Sequence, residues 1–145
     1  MTQHEFMNQL SELLDETTTG VLSTVDAAGL PHIRWMTPAV LKDRQTALFA
    51  VTCPSFSKTV HIKDNPNVEW MFQSPKLDTI LKVTGKVNLL DNPSLKNEVL
   101  EALAPRLELF WKVNCSSSEM LVLETVIEEA VFFRPSESLR EVIKF

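Results

Sequence analysis

A chain of 145 residues with 44% hydrophobic and 23% charged side chains has the composition of an ordinary globular protein, long enough for one domain around one core. Its formal net charge of -5 excludes general nucleic-acid binding, which relies on clustered cations, yet leaves room for a local site that takes one anionic ligand. No apolar run reaches membrane-spanning length and Met1-Thr2-Gln3-His4-Glu5 has no basic-then-apolar leader pattern, so a cytoplasmic protein with no membrane partner is expected. Cys53 and Cys115 have neither CxxC nor metal-ligand spacing and read as two free thiols; His4, His32 and His61 add no ligand pattern, and no metal site is expected.

In chain order, Thr2 and Glu5 have capping-box spacing, and Phe6, Leu10, Leu13 and Leu14 then share a helical face until Thr17 to Gly20 stops it. Residues 21–25 read as a strand, and residues 26–29 as a turn with Gly29 left-handed. Residues 31–41 alternate, with Ile33, Trp35 and Thr37 on one face and His32, Arg34 and Met36 on the other; Pro38 marks a bulge or an unpaired edge position. A polar turn at residues 42–45 leads to a third strand at 47–51. Residues 52–55 form a loop, residues 56–63 have the length of a short helix, and Asn65-Pro66 ends it.

Val68, Trp70 and Phe72 define a half-buried strand, which favours core packing over a stacking platform for nucleic-acid bases. The next strand spans residues 79–89, with Leu81, Val83, Gly85, Val87 and Leu89 on one face. Asn92 caps a helix that begins with Pro93, carries Leu95, Val99 and Leu103, and breaks at Pro105. A short helical or irregular piece holds Leu107, Phe110 and Trp111, and residues 120–134 close with a long β-branched and aromatic strand. The order predicts a mainly β fold, a six-stranded antiparallel barrel with helices at its edges, and one domain over residues 1–145.

Two places carry chemistry. At the start of the second helix, backbone N–H groups, the Ser55 and Ser57 hydroxyls and the Lys58 ammonium can together hold a monophosphate; the plainer reading has Ser55 as a cap and Lys58 in solvent. Arg34 sits in an otherwise hydrophobic strand, where it needs a partner if buried: a ligand anion, an internal carboxylate or an exposed face. His61 reads as a packing or surface residue. His32 is either a proton relay or a strand-face filler. Cys53 has no histidine at a base's spacing, and no protein nucleophile is assigned.

Residues 20–36 (GVLSTVDAAGLPHIRWM), 48–52 (LFAVT), 57–60 (SKTV) and 65–68 (NPNV) resemble, in order and distance, the pyridoxamine-phosphate-oxidase-like FMN-binding split β-barrels, most closely their general stress protein branch. The resemblance implies a Greek-key split barrel, an FMN cofactor at the interface of a homodimer, and oxidoreductase chemistry on a small-molecule substrate with nicotinamide as electron donor. It implies that Arg34, Trp35, Met36 and Thr37 line the isoalloxazine and ribityl portion, that Thr52, Ser57 and Lys58 hold the phosphate, and that Gln73 and Trp111 come from the second subunit. It leaves open a stress-related dimer that binds flavin, deazaflavin or haem without turnover, and a cofactor-free structural dimer.

Overall fold

A computed structural model describes residues 1–106, 116 and 118–145. Helix α1 (Gln3–Thr17) begins at the expected capping box: the Thr2 hydroxyl accepts from the Glu5 N–H and the Glu5 carboxylate accepts from the Thr2 N–H. It buries Phe6, Met7, Leu10, Leu13 and Leu14, and burying each such side chain contributes about 1.5–3 kcal/mol. The helix stops where Thr18 turns left-handed at φ 64°, a conformation few residues other than glycine adopt.

Strands β1 (Gly20–Val25), β2 (Pro31–Met36), β3 (Ala47–Thr52), β4 (Asn67–Gln73), β5 (Ile80–Leu90), β6 (Leu121–Arg134) and β7 (Leu139–Lys144) form one antiparallel sheet. Helix α2 (Ser57–Asp64) lies between β3 and β4, and α3 (Pro93–Leu103) follows β5, capped by Asn92 as expected. The strand order is β2-β1-β4-β5-β6-β3, and β7 also pairs with β6. Long β6 divides one of its edges: residues 121–126 pair with β3, residues 129–134 with β7. That division splits the barrel. The two ends of the order meet just beyond β2, where Ala39 bridges Phe49 through two backbone hydrogen bonds of 2.7 and 3.0 Å.

Each residue of β3 is buried because the strand runs between two hydrophobic clusters. Leu48 and Ala50 join the larger cluster with α1, Leu22, Trp70, Phe72 and Leu123; Phe49 and Val51 join the smaller one with Leu95, Val99 and Leu103 of α3. In the larger core the Trp70 and Phe72 rings stack 5.7 Å apart, and the Trp70 indole N–H donates to the buried Thr125 hydroxyl at 3.0 Å. That bond satisfies the polar atom a core tryptophan brings with it. Gly85 sits at a register shift against β6, where an added Cβ would lie 2.1 Å from the Val126 carbonyl oxygen. Only glycine lets the backbones approach so closely.

Three expectations change. The second strand ends at Met36 rather than Leu41, because Thr37-Pro38 interrupts pairing before the Ala39 bridge. A seventh strand, β7, follows the short 3-10 turn Pro135–Glu137 and extends the predicted six. Cys53 is disulfide-bonded rather than a free thiol.

Candidate functional site

Directly paired residues of antiparallel strands share a face, so Arg34 of β2 stands with Leu22 of β1, and His32 with Thr24. Leu22 and Thr24 are fully buried, which places the Arg34 side chain on the inner face of the sheet at its rim. There its guanidinium donates to the Leu22 and His32 carbonyls at 3.1 and 3.2 Å. Helix α2 packs over this end of β1 and brings Lys58 beside Arg34.

The electrostatics follow from that meeting. Burial pushes the Lys58 ammonium down to about 8, and the neighbouring Arg34 charge pushes the same way; burial also lowers Arg34. Among the described residues neither cation forms a salt bridge with a carboxylate. The Lys58 ammonium lies 4.4 Å from the centre of the Phe56 ring, a partial substitute for water. Helix α2 starts at Phe56, which has no side-chain oxygen to cap it, and Ser55 does not take that role. Two half-buried cations of like sign, beside uncapped N–H groups at a helix start, are arranged to receive an anion with a charge of about two, such as a phosphate.

The remaining expected residues divide into three sets. Ser57 is exposed on the first turn of α2 next to Lys58. Thr52 is buried, and its hydroxyl bonds that of Thr59 at 3.2 Å while Thr59 donates to the Cys53 carbonyl at 2.8 Å, so Thr52 braces the loop into α2. Met36 and Thr37 are buried, Met36 within the larger core. Trp35 points the opposite way and is 81% exposed; together with Gln73 it lines a 230 Å³ cleft bounded by Thr17, Gly20, Met71 and Leu77. Within one subunit Gln73 and Trp35 are thus brought together, on the face away from Arg34 and Lys58. Trp111 lies outside the described residues.

A network that the sequence reading did not assemble adjoins the cations. The His32 and His61 rings lie against each other, their planes tilted by 32° and their centres 4.6 Å apart. His32 Nε2 bonds the Asp26 carboxylate at 2.8 Å, and His61 Nδ1 bonds the buried Thr24 hydroxyl at 3.1 Å. The signal available in sequence was weak: His32 lies two residues before Arg34, and His61 one helical turn after Lys58.

The pyridoxamine 5'-phosphate oxidase family model matches residues 6–130 of the chain. No curated protein matches it. Among solved structures, the chain is similar to a protein related to general stress protein 26, of the pyridoxinephosphate oxidase family, from Clostridium acetobutylicum (TM-score 0.74, 15% identity, 100% of this chain and 97% of that one). It is also similar to a nimC/nimA family protein from the same organism (TM-score 0.74, 21% identity, 96% and 93%). A heme binding protein from Mycobacterium smegmatis shares the fold as well (TM-score 0.72, 12% identity, 96% and 57%). These likenesses establish the antiparallel split barrel with flanking helices.

Proposed function

The chain belongs to the pyridoxamine 5'-phosphate oxidase family, and from that premise we propose that it binds FMN between β2 and α2 and works as a homodimeric flavin-dependent oxidoreductase. The observation that carries this reading is the meeting of Arg34 and Lys58 with no carboxylate paired to either among the described residues. A phosphate dianion there accepts charge-assisted hydrogen bonds from both, and from the Ser57 hydroxyl and the first N–H groups of α2. The residues present fit the group.

FMN, when bound, supplies the hydride and electron transfer itself. The chain's part is to hold and orient it. β2 ends the strand order, so alternate N–H and C=O groups along it have no strand partner among the described strands; in this reading the backbone of Trp35 to Thr37 meets the edge of the flat, polar ring. No side chain is assigned as nucleophile or base. Nicotinamide as donor, a small molecule as acceptor, and residues 1–145 as a single cofactor-binding domain complete the reading.

Dimerisation is supported by the outer face of β2 and its neighbours. Ile33 is 73% and Trp35 81% exposed, and with Val21 and Met71 they form a contiguous apolar surface around the Gln73 cleft. An exposed patch of that kind marks an association surface. A second copy covering it would bury the Trp35–Gln73 clefts of both subunits beside β2, the strand that also carries Arg34.

The test is a fluorescence titration with FMN of the wild type and of a variant carrying Lys58→Ala and Ser57→Ala. Each charge-assisted bond lost lowers affinity by about 1.5–3 kcal/mol, so the loss of two is expected to weaken binding by at least about a hundredfold. Equal affinity in both proteins would overturn the assignment of the phosphate site.

A further inference from the structure

We infer that Thr24 and His61 are positioning residues for the anion site: the hydrogen bond between them sets α2 against β1 and β2 at the register that brings Lys58 to Arg34. The inference rests on the phosphate reading above and adds to it two residues that act through Lys58.

The sheet prepares a landing place for the helix. Thr24 and His32 are directly paired across β1 and β2, and the next pair on the same face is Leu22 with Arg34. His61 of α2 reaches the first pair twice. Its Nδ1 bonds the Thr24 hydroxyl at 3.1 Å, and its ring centre lies 4.6 Å from that of His32. Lys58 stands three residues earlier, on the same side of the helix, and meets Arg34 of the second pair. Three helical residues rise about 4.5 Å and two strand residues about 6.8 Å. The steps nearly match, and the long lysine side chain covers the difference. A helix seated with His61 on Thr24 therefore delivers Lys58 to Arg34.

Burial makes the tie selective. Thr24 is fully buried, where a hydroxyl left without a partner is costly. Sliding or turning α2 away from this point breaks the bond and leaves that hydroxyl unpaired. His32 is itself fixed: its Nε2 bonds one Asp26 oxygen at 2.8 Å, and the other oxygen accepts from the Ala28 and Leu30 N–H groups at 2.9 and 3.0 Å. The other anchors of α2 point elsewhere. Thr59 donates to the Cys53 carbonyl and bonds the Thr52 hydroxyl at the end of β3, and Ile62 enters the larger core. They hold the helix down, and His61 decides where along β1 and β2 it lies.

The register has work to do because the two cations repel. Like charges side by side favour separation, so Lys58 and Arg34 push α2 away from β2 in the ligand-free protein. The Thr24–His61 bond holds the helix against that push. A site assembled before its anion arrives loses less order on binding.

The experiment is a double-mutant cycle on FMN affinity, read by flavin fluorescence. Thr24→Val and His61→Leu each remove the bond while keeping bulk, and each is measured alone and together with Lys58→Met. Alone, each is expected to weaken FMN binding about tenfold. With Lys58→Met neither is expected to weaken it further, since no ammonium remains to be placed. His61→Asn carries its amide where the imidazole Nδ1 stood and is expected to bind FMN within about threefold of wild type. The His61 variants change a half-buried helix residue, so the cycle stands even if Thr24→Val fails to fold. Equal losses from His61→Leu with and without Lys58, no loss from it at all, or a His61→Asn protein as weak as His61→Leu would overturn the positioning role alone. FMN affinity unchanged by Lys58→Met, or no FMN bound by the wild type, would overturn the phosphate reading and the positioning role with it.

Discussion

Replacing Lys58 with methionine removes a half-buried cation while keeping most of its aliphatic stem in place. Lys58 sits at about 8 against an ordinary 10.5, through burial first and Arg34 second. At about 1.36 kcal/mol per unit that difference corresponds to about 3 kcal/mol. Solvent reaching the ammonium screens it to about 1–2 kcal/mol. Losing the contact with the Phe56 ring takes back about 0.5–1 kcal/mol. Lys58→Met should therefore stabilise the ligand-free protein by about 0.5–1 kcal/mol, a rise of roughly 2 °C in Tm for a chain of this size.

The pH dependence has a definite sign. The penalty of holding Lys58 charged is fully present below about 8, where both folded and unfolded chains carry the proton, and it fades as pH rises to 10.5. The advantage of the variant should shrink across the same interval. Urea unfolding of both proteins at pH 7 and pH 10, with and without FMN, measures all of this. FMN should stabilise the wild type far more than the variant, since ligand that binds only the folded state adds to its stability. A variant less stable than wild type at pH 7, by an amount independent of pH, would refute the reasoning.

Other outcomes follow from the same structure. Arg34→Gln should weaken FMN binding by about 1.5–3 kcal/mol, read by fluorescence titration, with the unfolding free energy unchanged to within about 1 kcal/mol. Trp35→Arg, at an 81% exposed position, should leave the fold intact and shift sedimentation equilibrium towards the monomer. Trp70→Phe loses its bond to Thr125 and leaves a void in the larger core, so denaturant unfolding should show a loss of about 2–4 kcal/mol. Gly85→Ala places a carbon against the Val126 carbonyl and should destabilise by more than about 2 kcal/mol by the same assay.

Local signals in the sequence translated well into local structure. The Thr2–Glu5 box, the left-handed Gly29 and the Asn92-Pro93 start are decided by neighbouring residues alone, and each is found where it was expected. β7 escaped because Leu139–Lys144 carries the charges of Arg140, Glu141 and Lys144 and pairs only with the distal half of β6. The strand limit at Met36 escaped because the polar-apolar alternation runs on through Thr37, although the hydrogen bonds do not. Arg34 was legible as a cation out of place in a hydrophobic strand, and Lys58 as part of a helix start able to hold a phosphate. Their approach was not, because a sequence states no distance between residues 34 and 58. The same holds for His32 and His61, whose contact joins a strand to a helix and becomes visible only once α2 is laid against β1.

The central claim is that Arg34 and Lys58, which pair with no carboxylate among the described residues, bind the phosphate of FMN. An absorption spectrum of the purified protein, taken after adding FMN and removing the excess by desalting, tests it most directly. Flavin bands retained at about one FMN per subunit are the predicted result, since a site of useful affinity keeps its ligand through such a step. A protein that emerges colourless, or that carries only the Soret band of haem, would contradict it.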